Sequence, residues 1–109
     1  MTDNHTNWTY VCEENEIDLD GLKRFDHEGN TFCIYHIEDG YYATDGICTH
    51  EYVHLEDGFV LNGEIECPMH MGLFDIKSGQ PMSPPVCEAL KTFPVKVEEG
   101  SIYIKILRN

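Results

Sequence analysis

Apolar and polar residues alternate along most of the chain in runs of four to seven, each cut by a Gly or Asn turn. That period predicts strands rather than helices. In TFCIYHI, residues 31–37, it puts Phe32 and Ile34 on one face and Cys33, Tyr35 and Ile37 on the other. SIYIKIL at 101–107 places Ile102, Ile104 and Ile106 on a single face, and FPVKVE at 93–98 does the same with Phe93, Val95 and Val97. Glu99–Gly100 between them fits a two-residue hairpin turn. HEGN (27–30), EDG (38–40), NG (62–63) and KSG (77–79) mark further turns. No stretch keeps a helical period, and there is no internal repeat or low-complexity linker. The expectation is an all-β domain, an antiparallel sandwich or barrel.

Residues 46–87 interrupt this pattern. The segment is loop-rich and carries three of the six His, three of the five Cys and four of the five Pro. It reads as a site-bearing insertion in a β scaffold, an arrangement in which loops carry function on a rigid base. At 109 residues, with 41% apolar content, the chain suits one hydrophobic core and one domain over 1–109.

Charge narrows the function classes. Seven Lys and Arg face 20 Asp and Glu, a formal net charge of −13. Nucleic acid and anionic membrane surfaces are poor partners for such a surface. Either the acidity only keeps the protein soluble, or it steers a partner with a basic docking patch. The N-terminal stretch has no cationic or apolar run of the secretory kind, and nothing approaches the length of a membrane span. The odd number of unclustered Cys suits reduced thiols in a cytoplasm.

Four residues change the picture most. Cys48 and His50, then Cys67 and His70, form C-x-H-x16-C-x2-H. Two thiolates and two imidazoles suit zinc or an iron–sulfur centre. A structural zinc finger pairs Cys with Cys and His with His, the His commonly on a helix. Here each half is mixed and neither is helical. Two equivalent Cys-then-His loops give one iron both thiolates and its neighbour both imidazoles, the ligation of a Rieske-type 2Fe–2S cluster.

With CTH (48–50) and CPMH (67–70), supported by GLFD (72–75), the Gly79 turn, the proline loop from Pro81 and WTYV at 8–11, the chain resembles the Rieske-type ferredoxins of bacterial aromatic-ring-hydroxylating oxygenases. The resemblance implies one 2Fe–2S cluster on Cys48, His50, Cys67 and His70, in a cluster-binding subdomain of about 46–87. It implies an electron carrier with no catalytic residue of its own, a cytoplasmic monomer. Its partners would be an NADH-dependent flavoprotein reductase and a terminal ring-hydroxylating oxygenase. Both would meet the imidazole edges of His50 and His70, which in this family reach the surface while the cysteines lie deeper.

Neutral imidazoles lift the potential from about −400 mV into a range of about −150 to +300 mV. High-potential respiratory members add a disulfide beside the cluster and hydroxyl donors after the second His. The corresponding positions here are Val53, Met69, Gly72 and Phe74. The resemblance therefore implies a midpoint within about 100 mV of the lower limit. Many members have Gly directly after a ligand His, where this chain has Glu51 and Met71. That difference bears on docking rather than on ligation.

Other candidates rank below these. His5, His27, His36 and His54 lack a partner at ligand spacing, and Cys12, Cys33 and Cys87 fit packing in the scaffold, Cys87 beside the cluster. Glu51, Glu56, Asp57, Glu64 and Glu66 are candidates for an acidic docking rim, in which case transfer slows as salt rises. The alternatives are the small Rieske subunit of a nitrite reductase, a carrier for a demethylating oxygenase, and a structural zinc module. At 109 residues there is no place for a mononuclear-iron domain, and no G-x-G-x-x-G marks a nucleotide site.

Overall fold

The run TFCIYHI becomes the central strand of the molecule, buried on both sides. The computed structural model describes residues 8–49, 52–68, 72–83 and 88–106. Among them are ten strands, two three-residue 3-10 turns and no α-helix. The strands are β1 (Trp8–Glu13), β2 (Gly21–His27), β3 (Asn30–Ile37), β4 (Gly40–Asp45), β5 (Phe59–Leu61), β6 (Glu64–Glu66), β7 (Leu73–Asp75), β8 (Thr92–Phe93), β9 (Val95–Glu98) and β10 (Ser101–Lys105). They form three sheets, ordered β2-β3-β4-β8, β1-β10-β9 and β5-β6-β7, with antiparallel pairing throughout.

Alternation on β3 divides the interior into two cores. Phe32 and Ile34 join Val11, Cys12, Ile102 and Ile104 between the first two sheets. Cys33, Tyr35 and Ile37 face the other way, toward Cys48, Leu55, Ile65, Cys67 and Phe74. A strand apolar on both faces belongs between two layers, as expected when both sides are covered. The second core is what attaches the small third sheet and the Cys-bearing loops to the scaffold.

Hairpin turns set the register. Glu28 and Gly29, Asn62 and Gly63, and Glu99 and Gly100 are three successive-residue pairs with positive φ in both members. That is the type I′ geometry whose twist matches the flanking strands. In β1 the register shifts between Tyr10 and Cys12. The bulge turns both Val11 and Cys12 into the core.

FPVKVE is not one strand. Pro94 divides it: Phe93 ends β8, which pairs with β4, and Val95 begins β9, which pairs with β10. A residue without an N–H suits the corner where the chain changes sheets. Phe93 and Val95 still pack on the inner core. Val97 does not follow them; it is 40% exposed on the edge strand β9, beyond the margin of the core.

One polar link crosses the second core. The fully buried Tyr35 hydroxyl lies 2.9 Å from Thr44 Oγ1, which donates onward to the Asp45 carbonyl at 2.7 Å. Tyr35 therefore donates to Thr44. Tyr35→Phe is expected to cost about 1 kcal/mol, the net worth of one neutral hydrogen bond. Urea denaturation checks this, and an unchanged midpoint would show the link to be idle.

Candidate metal centre

Two short backbone closures shape the candidate site. The Cys48 N–H donates to the Val53 carbonyl at 3.0 Å, and the Cys67 N–H donates to the Gly72 carbonyl at 2.8 Å. Each Cys thus heads a loop closed onto the residue five positions later, with the expected His inside it. The two loops arise on different supports. The first sits on a bridge between Ile47 and His54 and on Leu55 N–H bonding to the Gly46 carbonyl at 2.9 Å. The second connects β6 to β7, whose pairing runs up to Glu66 opposite Leu73.

Both thiols lie inside: Cys48 is 3% exposed and Cys67 0%, in one core with Leu55, Ile65 and Phe74. Thiolates in such surroundings are costly unless a cation neutralises them. Two buried cysteines at the heads of matched loops therefore fit ligands to one metal atom. His50, Glu51, Met69, His70, Met71 and Cys87, with His5 near the N-terminus, lie outside the described residues. Among the described residues no three His, Cys, Asp or Glu side chains gather as a metal site.

Each loop has a supporting side-chain contact. The Thr49 hydroxyl donates to the Glu88 carbonyl at 2.8 Å, fastening the residue between Cys48 and His50 to the chain beyond the proline loop. Beside the second loop, the Leu73 N–H donates to Ser83 Oγ at 3.2 Å. Gly72 and Phe74 are buried and offer no hydroxyl. Sequence reasoning passes over Thr49 and Ser83 because their partners lie 39 and 10 positions away.

The remaining candidates find structural places. Burial pushes the Cys33 thiol up to about 12, so it packs as a neutral group, and burial likewise raises Cys12. His36 Nδ1 lies 2.9 Å from the Ile17 carbonyl, and its ring stacks on Tyr41 at 4.2 Å. His27 stacks on Phe25 at 5.9 Å. His54 stands at the base of the first loop, its Nδ1 buried and without a hydrogen-bond partner. Of the acidic residues, Glu56 is occupied by Arg24 Nη1 at 3.0 Å. Asp57 is exposed, and Glu64 and Glu66 sit on the small sheet.

The family model for the Rieske [2Fe-2S] domain matches residues 7–94. The chain belongs to the Rieske [2Fe-2S] domain family. Among Rieske relatives it is similar to the ferredoxin component of the naphthalene 1,2-dioxygenase/salicylate 5-hydroxylase systems of Ralstonia sp. The two are 36% identical over 106 residues, which covers 97% of this chain and 99% of that one. It is 34% identical over 100 residues to the ferredoxin component of the 2,4-dinitrotoluene dioxygenase system of Burkholderia sp. (strain RASC), covering 92% and 96%. Its structure matches, at TM-score 0.87 and 33% identity, a chain of the complex of reduced oxygenase and oxidised ferredoxin in carbazole 1,9a-dioxygenase. That match covers 94% of this Rieske chain and 98% of the other. The family implied by CTH and CPMH is the family found.

Proposed function

We propose that this chain is a one-electron carrier of an aromatic-ring-hydroxylating system, taking electrons from an NADH-dependent flavoprotein reductase and passing them to a terminal oxygenase. The observation that carries the reading is the pair of matched loops, each headed by a buried Cys and each enclosing a His. The two relatives described above, both ferredoxin components of dioxygenase systems, point to carriage rather than catalysis. Cys48, His50, Cys67 and His70 would hold one 2Fe–2S cluster within the part of about 46–87, inserted in a single domain over 1–109. When bound, that cluster supplies a one-electron couple. The chain contributes the dry pocket around the two thiolates, the loop closures that fix their direction, and an acidic surface.

The working compartment is the cytoplasm. Reduced Cys12, Cys33 and Cys67 suit its thiol poise. No helix among the described residues is long and apolar enough to cross a membrane.

The absence of hydroxyls at Gly72 and Phe74 supports a couple at the low end of the Rieske range, within about 100 mV of −150 mV. Film voltammetry checks this, and a midpoint above about +100 mV overturns it. The function itself is tested in two steps. Iron and sulfide analysis with EPR of the dithionite-reduced protein should show a mixed Cys/His 2Fe–2S signal; colourless, zinc-bearing protein rejects the reading. NADH-driven ring hydroxylation by reductase and oxygenase pairs should then depend on added holoprotein, and turnover indifferent to it rejects the carrier role.

A further inference from the structure

The small sheet has two unlike faces. Inward, Val60, Ile65 and Phe74 lie opposite one another and fill the second core. Outward, Phe59 pairs with Glu66 and Glu66 with Leu73; beside this row, Leu61 pairs with Glu64 and Glu64 with Asp75. Residues 80–82 extend the sheet. Pro81 bridges Phe74, the Met82 N–H donates to the Leu73 carbonyl at 2.7 Å, and the Asp75 N–H donates to the Gln80 carbonyl at 2.8 Å. Met82 therefore stands opposite Leu73 and completes the first row on the same face.

This face exposes more apolar surface than a solvated sheet needs. Phe59 is 67%, Leu61 61% and Met82 52% exposed. Between them stand Glu64 and Glu66, neither in an ion pair among the described residues. The nearest cation along the chain, Lys77, is bound to Asp39. Large apolar side chains framed by polar ones mark interaction sites. The first row also borders the candidate centre: Glu66 precedes Cys67, and Leu73 follows Gly72.

We propose that the outer face of β5-β6-β7 is a lateral docking surface for a redox-partner protein that presents an apolar centre ringed by Arg or Lys. Phe59, Leu61 and Met82 fill the centre, and Glu64 and Glu66 meet the cations. Charge selects this occupant. A second copy of a chain at −13 is repelled, as are anionic lipid and nucleic acid. The inference rests on the carrier reading and adds the surface that orients the partner beside the His-bearing loops.

The test uses holoprotein and cytochrome c as a lysine-rich redox probe. Amide shifts on titration should concentrate at residues 59–61, 64–66, Gln80 and Met82. In stopped flow, Glu66→Lys should slow oxidation of the reduced protein about tenfold at low salt, with the gap closing as the Debye length shrinks to about 8 Å. Phe59→Ser with Leu61→Ser should slow it about threefold with little salt dependence. Val97→Ser, an equally conservative change on the far sheet, should leave the rate unchanged. Shifts clustered elsewhere, equal slowing by Val97→Ser, or a dimer that the face variants dissociate in sedimentation would each overturn the proposal. Iron, sulfide and EPR signal are read on every protein. Their absence from the unaltered protein rejects the carrier reading, whereas a normal cluster with displaced shifts rejects the docking surface alone.

Discussion

Cys67→Ala is expected to strip iron and acid-labile sulfide from the protein, whereas Cys33→Ala is expected to leave both in place. The two residues are matched in residue type, burial and core. Each is a buried thiol, 0% and 1% exposed, in the same core beneath the small sheet. Each loses the same atom on truncation, so the cavity cost is about equal, on the order of 1 kcal/mol. They differ in backbone context. Cys33 lies within β3, its thiol held neutral by burial. Cys67 heads a loop closed at Gly72. Losing a supporting residue around a metal weakens binding about 10–100-fold, and losing a ligand should exceed that. Because metal binding is coupled to folding, Cys67→Ala should also lose more thermal stability than Cys33→Ala. His50→Ala and His70→Ala should lose the chromophore in the same way. Metal analysis, visible absorbance and a melting curve read all four variants. A Cys67→Ala protein that keeps its colour removes the loop assignment, and a colourless Cys33→Ala protein assigns the ligand to the wrong strand.

Much of this was legible before the structure because it depended on local rules. The alternation in TFCIYHI divides the two cores residue by residue, and Asn62–Gly63 and Glu99–Gly100 carry the φ values their hairpins require. Mixed Cys/His spacing pointed to the family without any knowledge of the fold. What escaped depends on partners far along the chain or on backbone alone. Strands of three residues, such as β5 and β6, are too short for a period to register within a loop-rich segment. The loop closures use the carbonyls of Val53 and Gly72, which every residue type possesses. In sequence Glu56 is like any other acidic rim residue, whereas in the fold Arg24, 32 positions away, holds it. Val97 obeyed the alternation and lost its burial to the edge position of β9. No pattern confined to β9 records where the neighbouring sheet ends.

Gly79→Ala is expected to cost about 3 kcal/mol or more, against about 1 kcal/mol for Gly63→Ala. Both glycines have nearly the same conformation, φ +78° and +80°. An L side chain there costs about 1–2 kcal/mol in either place. At Gly63 nothing lies within 4 Å of an added Cβ, so the conformational cost stands alone. At Gly79 the Cβ would stand 2.2 Å from the Leu90 carbonyl oxygen and 3.1 Å from its carbon. These are backbone atoms with no rotamer to yield. Nor can the two segments separate freely, since the Leu90 N–H donates to the Gly79 carbonyl at 2.8 Å and the Gly79 N–H donates to the Asp75 carbonyl at 2.7 Å. Any displacement of Leu90 is passed to Glu88, whose carbonyl receives the Thr49 hydroxyl inside the first candidate loop. Gly79→Ala should therefore lower the denaturation midpoint and loosen cluster retention together, while Gly63→Ala shifts the midpoint slightly and keeps the full complement of iron. Urea curves with unchanged slope, recorded beside iron content, separate the two contributions. Equal midpoints for the two variants would mean that the approach of Gly79 to Leu90 contributes nothing beyond the turn itself.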